Sequence, residues 1–129
     1  MGKEMLSEGD VIATLAVSDI EKGKEFYGGK LGLTMSMENM GGVGYKVGDG
    51  QLFVYVSPTA GSGEATAAFF RVDDVRTVVS ELASKGIAFE HYEMPGTTLE
   101  GDVHVMDGTD MTAAWFKDPD GNILGLGDG

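Results

Sequence analysis

The sequence predicts an α+β fold: two tandem β-α-β-β-β modules in one domain spanning residues 1–129. Three observations carry that expectation. The segment VSDIEKGKEFYGGKLGL, from Val17, returns in altered form as VDDVRTVVSELASKGIAF, from Val72. Each copy follows one strand-like run and precedes three more. Glycine supplies 21 of 129 residues, about twice the usual ~7% share, which points to turns and close backbone contacts and away from a helical bundle.

The elements read as follows. Module one covers about 10–58 and opens with the strand VIATLAV at 11–17. Asp19 stands where an N-cap belongs, ready to accept orphan helix N–H groups, although Lys22 denies it a capping box. Ile20, Tyr27 and Leu31 recur at helical spacing, and Gly32 closes the helix. TMSM (34–37), VGYKV (43–47) and QLFVYVS (51–57) read as strands, with GDG at 48–50 as turn chemistry. Module two covers about 65–127. ATAAFFRV (65–72) is its first strand, Asp74 its N-cap, Val75, Val78, Val79 and Leu82 its helix face, and Gly86 its C-cap. AFEHY (88–92), MTAAWF (111–116) and NILGL (122–126) follow, the last two joined by DPDG, where Pro119 presets φ for a β-turn. Neither helix covers much sheet alone, so the modules must pack on each other or across a dimer.

Composition excludes several functions. A formal charge of −12 and a pI near 4.3 repel phosphate backbones and anionic membrane surfaces, so neither nucleic acid nor membrane is an expected partner. With no cysteine, thiol catalysis, disulfides and zinc–thiolate sites are out. No apolar run approaches the ~18 residues of a membrane span, and a soluble, cytoplasmic protein is the expectation. GGVGY and GDGQ lack the third glycine and following helix of a dinucleotide fingerprint. Asp118, Asp120 and Asn122 begin like a calcium loop, but Ile123 replaces its glycine and Gly129 its closing glutamate.

The tandem pattern, VSDIEKGKEFYGGKLGL and above all WFKDPDGNILGL resemble the vicinal oxygen chelate superfamily, which includes glyoxalase I, bleomycin-resistance and fosfomycin-resistance proteins and extradiol dioxygenases. The resemblance implies mixed sheets that curl into troughs. In the family's enzymes a divalent metal sits there, held by His, Gln or Glu from four strands. The matching positions in this chain are Ile12, Ala67, Gly125 and Tyr55. The first three carry no oxygen or nitrogen donor on their side chains, so the resemblance implies a member with no metal and no cofactor. It also implies a homodimer that covers the strand edges.

Strand alternation puts Thr14 on the face of Ile12, and Phe69 and Arg71 on the face of Ala67. These residues, with Tyr55, His104 and Trp115, are the candidate ligand-binding set. Arg71 could hold a carboxylate or simply pair with one of the many acidic residues. His91 and His104 are expected at the surface or in loops. GDVHVMDG nevertheless places Asp102, His104 and Met106 on one face of a possible strand, where His104 could serve as acid or base. The reading that results is a metal-independent protein holding an apolar or aromatic small molecule in its trough. Two alternatives remain open. One is a glyoxalase- or dioxygenase-like enzyme whose metal is held by His91 or His104. The other is a metal-free acid–base enzyme working through Tyr55 or His104.

Overall fold

Period-2 alternation sorts the strands of module one. In this computed structural model, which describes residues 6–8 and 10–128, Leu15, Val17, Val43, Tyr45, Leu52 and Val54 point to a shared core. Their neighbours Thr14, Ala16, Phe53 and Tyr55 point to the opposite face. The strands are β1 (Ala13–Val17), β2 (Thr34–Asn39), β3 (Gly42–Val47) and β4 (Gly50–Val56). They lie in the order β1-β4-β3-β2, with β1 parallel to β4 and the rest antiparallel. Asp19 caps α1 (Ile20–Gly23) as expected, accepting from the amides of Glu21 and Lys22.

The helix then departs from expectation. It widens into π-helical turns over Lys24–Lys30, and the Leu31 amide donates to the Phe26 carbonyl five residues back. Gly28 and Gly29 explain the tolerance: they hold an α-helix weakly, and Gly28 lies against the Tyr45 ring, where an added Cβ would sit 3.6 Å from it. The wide turns carry both Phe26 and Tyr27 inward. Gly32, at φ +73°, ends the segment.

Module two comprises β5 (Thr66–Arg71), α2 (Val75–Ser84), β6 (Phe89–Glu90), β7 (Thr97–Glu100), β8 (Val103–Met106), β9 (Thr112–Lys117) and β10 (Ile123–Gly127). The sheet order is β5-β10-β9-β8-β7, with β5 parallel to β10. Asp74 caps α2 through the Thr77 amide, and Val75, Val79 and Leu82 face the core. The expected strand over 88–92 shrinks to the two residues of β6. Pro95 and Gly96 (φ +80°) then turn the chain, closed by a bond from the Thr97 amide to the Met94 carbonyl. A β7–β8 hairpin follows, of which only β8 was foreseen. The outer edge of β9 is therefore shared: β6 pairs with Phe116 and Trp115, β8 with Ala113 and Thr112. Among the described residues no helix is long and apolar enough to cross a membrane.

The modules meet with β1 beside β5 and a single core joining both helices. The DPDGN turn fastens them. Asp118, 5% exposed, accepts from the Tyr27 hydroxyl at 2.7 Å and the Asn122 side-chain amide at 2.8 Å on one oxygen. The amides of Asp120 and Asn122 donate to the other, at 3.0 and 2.8 Å. Asn122 also donates to the Ala16 carbonyl of β1 at 2.7 Å, and Asp120 accepts from the Ser18 amide at 3.1 Å. Burial, followed by the charge of Asp118, pushes the Tyr27 phenol far above its ordinary value, so it remains a donor. Tyr27→Phe strips one donor from a buried carboxylate. It should lower unfolding free energy by about 2 kcal/mol, seen in urea melts as a lower midpoint at unchanged slope.

Candidate functional site

On the face of the sheets away from the helices, both modules use the same device: a large side chain from one strand lies over glycines of the next. In module one Phe53 of β4 covers Gly42 of β3, where an added Cβ would come 2.9 Å from Phe53 Cζ. Met37 of β2 covers Gly44, with its Cγ 3.0 Å from such a Cβ. In module two Phe69 of β5 and Trp115 of β9 flank Gly125 of β10, their register partner on either side. A Cβ at Gly125 would meet Phe69 Cδ2 and Trp115 Nε1, each at 2.9 Å, and one at Gly127 would meet Phe69 Cζ at 2.6 Å. Phe69 itself is 55% exposed.

This arrangement bears on whether a metal fits at the four matched positions. The space that a side chain at Gly125 would need is filled by two aromatic rings. Ile12 precedes β1 and Ala67 lies on β5, and neither offers a donor. Tyr55 is half-buried on β4, opposite Ala16. Among the described residues no three His, Asp or Glu side chains come together in a way that could hold a metal ion. A divalent cation does not fit these residues.

His104 corrects the expectation that both histidines lie at the surface or in loops. It is fully buried, at 0% exposure, in the middle of β8. The cause is a cover that strand alternation does not show. Tyr92, from the irregular segment after β6, stacks on its ring at 6.2 Å, and Trp115 meets it edge-on at 5.1 Å. Tyr92 and Trp115 also touch, at 5.8 Å. His104 Nε2 lies 3.1 Å from the Tyr92 amide, from which it accepts in one tautomer, and 3.2 Å from the Tyr92 carbonyl, to which it donates in the other. His104 Nδ1 and the Tyr92 hydroxyl are both buried without a hydrogen-bond partner. Burial, then the charge of Glu90, raises the Tyr92 phenol above its ordinary value, so it too stays a donor. His91, by contrast, is exposed and pairs with Asp102 at 2.8 Å.

The remaining candidates separate by module. Thr14 and Tyr55 lie on the open face of module one; the Thr14 hydroxyl donates to the Ile12 carbonyl at 3.2 Å. Phe69, Trp115 and His104 form one connected group in module two. Arg71 stands at the end of β5, its side chain 68% exposed and its guanidinium 3.9 Å from Asp73. The glycines beneath the rings were not among the expected site residues. Their signal is a Gly-x-Gly pair inside a strand, at Gly42 and Gly44 and again at Gly125 and Gly127, which puts two glycines on one face.

A family model described as Glyoxalase/Bleomycin resistance protein/Dioxygenase superfamily matches residues 10–126. Among curated proteins none matches. Among solved structures, the chain is similar to SMU.1112c, at 27% identity over 93% of this chain and 98% of that one, with a TM-score of 0.71. It is similar also to TnmS3, described as an antibiotic binding protein from Streptomyces sp. CB03234, at 26% identity, 97% and 98% coverage and a TM-score of 0.69. A bleomycin-binding protein complexed with bleomycin shares the fold at 21% identity, covering 94% of this chain and 98% of its own, with a TM-score of 0.69.

Gly125→Ala tests the packing of rings on glycine. The added methyl forces Phe69 and Trp115 to move, and over-packing of this kind destabilises by roughly 1–3 kcal/mol. Trp115 is the only tryptophan, so its emission should shift in the same variant.

Proposed function

The chain belongs to the glyoxalase/bleomycin resistance protein/dioxygenase superfamily, and from that premise we propose that it is a metal-independent small-molecule-binding protein. Its ligand is apolar or aromatic and lies in the sheet trough. The observation that carries this reading is the Phe69–Trp115 pair seated over Gly125 and Gly127, where the resemblance would put a metal-ligating side chain. Phe69 leaves more than half of its surface in water on a concave face, and half-buried Phe53 and Tyr55 continue the aromatic surface into module one. Aromatic rings of this kind favour planar partners, by offset stacking or edge contacts. A few polar groups, the Tyr55 and Thr14 hydroxyls among them, can fix orientation. The likeness to an antibiotic binding protein supports a ligand of natural-product type. In this reading the protein works as a homodimer, and a second copy shields Phe69, Met37 and Ile12, which the single chain leaves exposed.

One observation favours a second reading, metal-free acid–base catalysis: the unpartnered His104 Nδ1 and Tyr92 hydroxyl. Both atoms are buried, so catalysis there requires the covering rings to move.

Titration with bleomycin and a panel of planar aromatic compounds, followed by Trp115 emission and thermal melting, tests the primary reading. A binder should quench Trp115 and raise Tm equally with and without EDTA. Phe69→Ala should weaken it about tenfold, the equivalent of ~1.4 kcal/mol of lost stacking and burial. Binding that vanishes with EDTA would sink the metal-independent reading.

A further inference from the structure

On the helix side of the sheets the two modules leave a gap along the line where β1 meets β5. Leu31 and Leu33 wall it from module one. Phe70, Val72 and Val78 wall it from module two, and these five side chains are only half buried. Its floor is the core itself, Leu82, Phe116 and Leu126, and its volume is about 210 Å³. Past Val47 and Phe70 the gap opens into a second hollow of about 330 Å³, bordered by Gln51, Ala68 and Phe69. An apolar cavity of about 150 Å³ already takes up a benzene ring, so the first hollow alone has room for a medium alkyl chain.

One charged residue borders both hollows: Arg71. Its ion pair with Asp73 spans 3.9 Å between exposed groups, an arrangement that contributes little. The Asp128 carboxylate nearby is engaged by the Thr112 amide and hydroxyl, at 2.8 and 2.7 Å. The guanidinium is thus open to a better partner, and its planar fork matches a carboxylate with two parallel hydrogen bonds. Its aliphatic stem can lie along the apolar wall while its head stays in water.

We infer that the seam between the modules is a second binding site, adjoining the trough at Phe69, for an amphipathic monocarboxylate. The hydrocarbon tail lies between Leu33, Phe70 and Val78, and the carboxylate sits on Arg71. Apolar walls over a core floor supply affinity for the tail, and Arg71, the one charged side chain among those lining the two hollows, supplies the preference for an anion.

Calorimetric titration of the full chain with hexanoate, octanoate, decanoate and 1-octanol tests this. Each added methylene should tighten binding about fourfold until the cleft is full. The alcohol should bind at least tenfold more weakly than octanoate. Arg71→Gln should bring octanoate to the level of the alcohol and leave the alcohol unchanged. Val78→Phe, which fills the gap, should abolish both; Arg71 is exposed, so its variant keeps the test decisive should Val78→Phe fail to fold. Trp115 faces the trough, and its emission should not respond. The inference is overturned by absence of octanoate binding, by equal binding of acid and alcohol, or by retention in a folded Val78→Phe. Octanoate binding that weakens as protein concentration rises would also overturn it, because a second copy would then occupy the seam.

Discussion

The Asp118 carboxylate accepts four hydrogen bonds from three residues of two modules. Placing a charge at 5% exposure is expensive, and only a full set of donors offsets it. That requirement ties distant parts of the chain together. The phenol of Tyr27 must arrive from module one, and the π-helical turns deliver it. Asn122 must face back toward β1, and it then also holds the Ala16 carbonyl. Once these conditions are met, β1 and β5 lie side by side and the seam between the modules has its shape. The turn that joins β9 to β10 is therefore less a connection between strands than the joint between two halves.

The second constraint is the use of glycine inside strands. A strand glycine weakens its own element by roughly 0.5–1 kcal/mol relative to alanine. At Gly125 and Gly127 the return is room for Phe69 and Trp115 to settle onto the backbone. In module one Gly42 and Gly44 do the same for Phe53 and Met37. Both troughs thus have floors of ring and thioether over bare main chain. Such a surface attracts by area and stacking, where a metal centre would attract by coordination.

Much of this architecture was legible in the residues. The repeat, the two aspartate caps, the glycines ending both helices and the succession of strands along module one all follow from local chemistry, and local chemistry was enough. Alternation correctly put Phe69 on the open face. Three features escaped because contacts distant in sequence decide them. The π-helical turns depend on Tyr45 and Asp118, far from Gly28. The strand expected over 88–92 is cut to two residues, and a β7–β8 hairpin takes the rest of the β9 edge. His104 sits between two valines, in a pattern that promises solvent on its side, and is buried by Tyr92 from a segment with no regular structure. The seam has no signature in any single segment, since it exists only where the two modules dock.

The shared edge of β9 has a consequence of its own. Because β6 and β8 each hold only part of that edge, residues 91–96, between β6 and β7, belong to neither ladder. Segments could be lengthened, shortened or exchanged there without moving any strand out of register. Tyr92, which closes over His104, lies within that stretch. The protein thus keeps a stretch of chain that no strand pairing fixes beside the His104–Trp115 group of module two. A lineage of such chains could retune the surroundings of that group by editing a half-dozen residues while the rest of the scaffold stays untouched.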